Sequence, residues 1–323
     1  MIEVPLLFAE VDGELLPADT DSLMELSDWT LCEASAHLEE ADLSFQRADE
    51  VMEIDLDGEK LVYTRMTVTQ PRLIGMGAVD EDSLAATLIQ WLERACRAPD
   101  LPQEHLRGWL SAAVAHLRTR RGVSMDTLVD WQDALSAKLR QRIAEQREAA
   151  RRQVRQAALF DEGAAPAVVK DATIRFDAST YRDAPLTYLN RLRFQKHLLG
   201  SDAVPTFGGD ETGEEFACAQ ALDALEEVEV WVRNIPRHRD SFSLPLLKGN
   251  FYPDFVGKLR DGRLFVLEYK GADRATNEDM RNKTQIGECW AGASDHVFAT
   301  IEKMKHGRSM ADQMRAAIGS GSG

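Results

Sequence analysis

Cysteine is scarce in this 323-residue chain, at four residues. Cys32, Cys96, Cys218 and Cys289 form no CxxC pair and have no close pair of histidines, which excludes a zinc finger or ribbon and points to reduced thiols buried in a core. No apolar run approaches the roughly 20 residues of a membrane span, and Met1 opens no signal-peptide pattern, so we expect a cytoplasmic protein without membrane contact. A GxxxxGK[ST] loop and a DEAD-type acidic box are also missing. Gly257-Lys258-Leu259 lies inside a strand-like run and is no phosphate loop, so we expect neither an ATP site nor an ATPase motor. Positive charge is in deficit too, with 38 Lys and Arg against 54 Asp and Glu. A bulk acidic balance argues against nucleic-acid binding, but here the deficit is local. Residues 1–99 hold 22 acids and 6 bases, which leaves 32 of each in the remainder, so the second part of the chain is neutral and can carry a basic face.

Residues 1–75 read as short strands and turns. VMEIDLDGEKLVYTR places Asp57-Gly58 between alternating runs and predicts a hairpin. Nearby acids such as Glu39, Glu40, Asp49 and Glu50 lack ligand spacing and read either as a solvated face or as a contact for a basic partner surface. From Asp82 the period becomes helical. Apolar residues recur at Leu84, Leu88, Trp91 and Leu92, and again at Leu106, Trp109, Leu110, Val114 and Leu117. A third helix is predicted from Ser124 to about Leu159. Its stripe of Leu128, Trp131, Leu135, Leu139 and Ile143 gives way to Arg147, Arg151 and Arg155, either a solvated ridge or one that meets phosphates. DEGAAPA then breaks the helix with Gly and Pro. We expect an acidic N-terminal connector domain over 1–160, a linker at 161–168, a second domain over 169–318, and a Gly-Ser linker outside the fold at 319–323.

The second domain is organised around FYPDFVGKLRDGRLFVLEYKG, Phe251 to Gly271. Two alternating runs flank Arg-Asp-Gly and predict a β-hairpin. Asp254 interrupts the first strand, while Glu268 and Lys270 share one face of the second. A two-residue turn sends Asp254 to the wrong face. A three-residue turn, Arg260-Asp261-Gly262 with Gly262 left-handed, places it opposite Glu268, with Cβ atoms roughly 5 Å apart and both carboxylates in reach of one divalent cation. Such oxygens suit Mg²⁺, or Mn²⁺ in its place. Tyr269 offers a carbonyl as a further ligand, and a third carboxylate is expected from the helix in GDETGEEFACAQALDAL, Glu215 first and Glu214 next. Lys270 is suited to orient or deprotonate a water and to stabilise charge at an attacked phosphorus. Around the hairpin we expect strands in ATIRFDAS, VEVWVRNI and DHVFATI, a helix or strand in YLNRLRFQKHLLG, and a helix over Thr276 to Gly292.

The Pro253-Asp254 and Glu268-x-Lys270 pattern, with thirteen residues between the acids, resembles the PD-(D/E)XK nucleases. The ordered blocks GEEFACAQALD, WVRNI, SFSLPL, FYPDFVGKLRDGRLFVLEYKG and KTQIGECWA are similar to the C-terminal endonuclease region of type III restriction enzyme helicase (Res) subunits and their DEAD/DEAH-box relatives. The likeness covers roughly residues 170–300. It implies an α/β fold, a restriction-endonuclease-like mixed sheet flanked by helices, preceded by a smaller α+β connector domain with a helical bundle. It also implies Mg²⁺-dependent hydrolysis of DNA in a restriction or phage-defence system. The family's catalytic and metal residues carry over to Asp254, Glu268 and Lys270, and its DNA-touching helix to Lys283 and Gln285, with Trp290 in the core. Arg233, Arg237 and Arg239 are further phosphate candidates. Since no motor is encoded, the expected partners are DNA and a helicase or ATPase chain or domain, and double-strand cutting from a single site favours a homodimer. The alternative is an idle adaptor that holds DNA or a helicase.

Overall fold

The computed structural model describes residues 1–25, 27, 29–38, 51–57, 60–66, 80–179, 181, 192–201, 204–207, 213–271 and 277–320, with only the backbone of 51–57, 60–66 and 277. The chain divides into two compact units. One joins Met1–Ser27 to Arg151–Gly323, and the other is Asp28–Ala150. The boundary expected at 161–168 is therefore not where the fold divides.

Strand β1 (Ile2–Val11) turns through Asp12-Gly13, both at positive φ, into β2 (Glu14–Pro17), and a short helix α1 (Thr20–Glu25) follows. In the second unit a 3-10 turn (Glu33–Ala36) precedes β3 (Val51–Asp57) and β4 (Lys60–Met66), the antiparallel pair expected there. Gly58 and the acids at 39–50 lie outside the described residues. Helix α2 (Glu81–Cys96) is capped by the Asp80 carboxylate, which accepts from the Asp82 amide at 2.8 Å. Helix α3 (Gln103–Thr119) packs its apolar stripe against it, burying Leu88, Leu92, Leu106, Trp109 and Leu110. The predicted third helix is two helices. α4 (Met125–Asp130) is capped by Ser124, and the chain leaves helical geometry at Trp131 before α5 (Gln132–Leu159) begins. The basic ridge on α5 is spent on structure. Arg147 grips Asp100 with bonds of 2.6 and 2.9 Å, Arg151 pairs with Asp21, and Arg155 is buried with its guanidinium donating to the Pro245 carbonyl.

Strand β5 (Pro166–Phe176) begins inside the expected linker and pairs antiparallel with β1, Ile2 opposite Phe176, in a sheet of order β2-β1-β5. Residues 192–200 form neither the helix nor the strand expected of them; they are irregular and touch the sheet by one bridge, His197 to Trp231. Next come α6 (Glu214–Ala224), β6 (Val228–Arg233), the ribbon β7 (Leu244–Pro245) and β8 (Asn250–Phe251), and the hairpin β9 (Phe255–Leu259) and β10 (Leu264–Lys270). Helix α7 (Asn277–Ser294), β11 (Val297–Glu302) and α8 (Met310–Ser320) complete the unit. The order β11-β10-β9-β6, parallel only between β10 and β11, makes a mixed sheet in an α/β fold. Alternation sorts its side chains between two cores. Phe255, Phe265 and Leu267 pack with α6 and α8, while Val256, Val266, Ile286 and Trp290 pack on the α7 face with Ile2 and Phe176. The sequence reading did not anticipate α8, although Met310, Met314 and Ile318 are spaced for it. This helix carries Gly319 and Ser320, so the tail expected to lie outside the fold is in part helical. Cys32 is exposed, against the expectation of buried thiols, whereas Cys96 and Cys218 are buried. No helix among the described residues is long and apolar enough to cross a membrane.

Candidate active site

The hairpin has the three-residue bulged turn. The Leu259 amide donates to the Arg263 carbonyl at 2.8 Å and the Gly262 amide to Leu259 at 3.0 Å, with Gly262 at φ 93°. Lys258 faces Leu264 and Phe255 faces Leu267, and the same register sets Asp254 across from Glu268. Asp254 lies just before β9 and is held by bonds of its own. Its Oδ2 accepts from the Tyr269 amide at 2.7 Å and its carbonyl accepts from the Asn234 amide at 2.9 Å. Asn234 is buried, and its Nδ2 donates to the Pro253 and Phe242 carbonyls, both at 2.8 Å, while its Oδ1 accepts from the Phe242 amide at 3.0 Å. The sequence reading missed this positioning residue. Its signal was a lone amide following the buried strand WVR.

Glu268 is 6 % exposed. Burial, and then the Asp254 carboxylate, raise its pKa; burial, and then the Glu215 carboxylate, raise that of Asp254. Glu268 Oε1 accepts from Lys283 Nζ at 3.0 Å, whereas Oε2 is buried with no hydrogen-bond partner among the described residues. The ammonium on the acids thus comes from α7, where Lys283 also lies 5.1 Å from the centre of the Phe251 ring. Lys270 pairs instead with Glu302, its register partner on β11, at 3.5 Å.

The remaining candidates are dispersed. Glu215 binds Arg233 through contacts of 2.6 and 2.8 Å, and Arg233 also packs over the Phe207 ring. Glu214 accepts from the Tyr269 hydroxyl at 2.9 Å and pairs with Lys303 at 3.4 Å. Tyr269, the further ligand expected, lies in the β10–β11 ladder opposite Ile301. Gln285 is exposed on α7, Arg237 is exposed at φ 64° after β6, and Arg239 pairs with Asp240. Trp290 is in the core as expected.

No family model, curated protein or solved structure matches this chain. Among the described residues no group of three or more His, Cys, Asp or Glu is arranged to hold a metal ion, so the trio with Glu215 is not assembled. What is assembled is a pair of carboxylates, mutually destabilised, with one buried oxygen unsatisfied. Mg²⁺ is held by one or two carboxylates and keeps several waters, so the pair fits such an ion.

Proposed function

We propose that this chain is a Mg²⁺-dependent endonuclease of the PD-(D/E)XK type, cutting DNA in a restriction or phage-defence system with a helicase partner. The observation that carries the reading is the buried Asp254–Glu268 pair with its orphaned Glu268 Oε2. Two desolvated acids side by side cost stability, and a divalent cation offsets that cost. The mixed sheet with helices on both faces supports the restriction-endonuclease-like architecture. A bound Mg²⁺, or Mn²⁺, would polarise an attacking water and neutralise charge at the attacked phosphate. Asp254 and Glu268 would hold the ion, with Asp254 aimed by the Tyr269 amide and Asn234. Lys283 fixes Glu268 Oε1, and Lys270 at the end of β10, once released from Glu302, is the group for orienting water.

Nicking of supercoiled plasmid tests this. EDTA should abolish nicking, Mg²⁺ should restore it, and Asp254→Asn or Lys270→Ala should lower it by about 10²-fold or more while DNA binding persists. Nicking that survives EDTA or Asp254→Asn sinks the proposal. A second reading, an idle adaptor, draws on the ion pairs Lys283–Glu268, Lys270–Glu302 and Glu215–Arg233, which already occupy the groups the chemistry needs. It expects DNA or helicase binding with no nicking under any divalent metal.

A further inference from the structure

Strand β11 is the edge of its sheet, and a pocket of about 510 Å³ lies along it between α7 and α8. Phe298, Thr300 and Thr284 line the pocket, Lys305, His306 and Arg308 join them from the turn after β11, and Glu288 adds a carboxylate one helical turn past Thr284. The pocket adjoins the acids. Thr300 is the register partner of Glu268 on the neighbouring strand, roughly 4.8 Å across the ladder. Its hydroxyl lies 3.3 Å from that of Thr284, the residue after Lys283.

The basic rim is preorganised. Lys305 and Arg308 exchange both backbone hydrogen bonds, at 3.2 and 2.9 Å, around His306 at φ 50° and Gly307 at φ 77°, which is a type I′ turn. Lys305, His306 and Arg308 are all exposed, so the fold gains no burial from them. The fixed turn holds the backbones of Lys305 and Arg308 side by side, so their two cationic side chains start from one tip. Hydroxyls and an aromatic ring behind it suit a sugar and a base.

We propose that this pocket seats one nucleotide of the substrate strand beside the cleaved bond, its phosphate on Lys305, His306 and Arg308 and its sugar or base against Phe298 and the two threonines. The inference rests on the nuclease reading above. Its test is binding of a fluorescein-labelled single-stranded oligonucleotide to the full chain in EDTA, followed by anisotropy across a salt series. Lys305→Ala with Arg308→Ala should reduce the slope of log affinity against log salt by about 0.7, as one lost phosphate contact requires. The charge-preserving pair Lys305→Arg with Arg308→Lys should retain the wild-type slope. Lys170→Ala with Arg140→Ala, which removes equal charge elsewhere, should leave the slope unchanged. If the wild type binds and cuts while the Lys305/Arg308 alanine pair keeps its slope, or if both alanine pairs lose it equally, the pocket is not a phosphate site although the nuclease reading stands. If the wild type binds no DNA at all, both fall together.

Discussion

At Glu268 burial and charge pull in opposite directions. A buried carboxyl with one oxygen on Lys283 and the other unsatisfied weakens the unit that contains it. Its pKa is raised in the folded state, by burial first and the Asp254 carboxylate second, so the folded chain holds that proton longer than the unfolded chain. Stability is therefore fully present below the ordinary carboxyl range and is lost as pH rises toward the raised value. In EDTA the wild type should lose thermal stability between about pH 5 and about pH 8, and Glu268→Gln should flatten that loss, gaining about 1–2 kcal/mol at the alkaline end. Adding Mg²⁺ at the alkaline end should raise the melting temperature of the wild type and leave that of the variant in place. Melting curves followed by circular dichroism decide it; parallel pH profiles for the two proteins would remove the argument for a strained acid pair.

Among the elements, the docking of α7 on β11 decides which lysine meets the acids. Gly287 makes that docking close, since a Cβ there would lie 2.4 Å from the Phe298 ring. Gly287→Ala should destabilise the unit by about 1–3 kcal/mol through overpacking, and Phe298→Ala in the same chain should recover part of the loss, a non-additive pair measurable by denaturant titration. Additive losses would mean that α7 does not approach the strand here. This docking explains what was and was not legible in the sequence. The bulge at Gly262 was legible because period-2 alternation allows only one turn length that brings Asp254 opposite Glu268. The contact of Lys283 with Glu268 was not, because it depends on the parallel register that sets Lys270 beside Glu302 and on a helix placed by one glycine contact. Arg147, Arg151 and Arg155 were ambiguous for a similar reason. Their spacing is the same whether they meet phosphates or, as here, Asp100, Asp21 and a buried carbonyl.

For the whole molecule the consequence lies in the first strand. Residues 1–160 read as one acidic domain, yet β1 pairs with β5 and buries Ile2, Val4, Leu7 and Ala9 in the core that holds Trp290. The Trp290 indole donates to the Pro5 carbonyl at 2.9 Å, tying α7 to the N-terminal strand. Ile2, Val4 and Leu7 at about 1.5–3 kcal/mol each sum to roughly 5–9 kcal/mol, comparable with the roughly 5–15 kcal/mol that keeps an ordinary domain folded. A fragment of residues 169–318 lacks both β1 and the start of β5 and should not fold as a cooperative unit, although it contains Asp254, Glu268, Lys270 and Lys283. It should melt without a sharp transition and bind a hydrophobic dye, as a loosely packed state does. Restoring residues 151–168 and 319–320 and adding a peptide of residues 1–17 in trans should bring back a cooperative transition whose midpoint rises with peptide concentration. If the 169–318 fragment alone melts as sharply as the full chain, the N-terminal strand is dispensable to the unit that carries the acids.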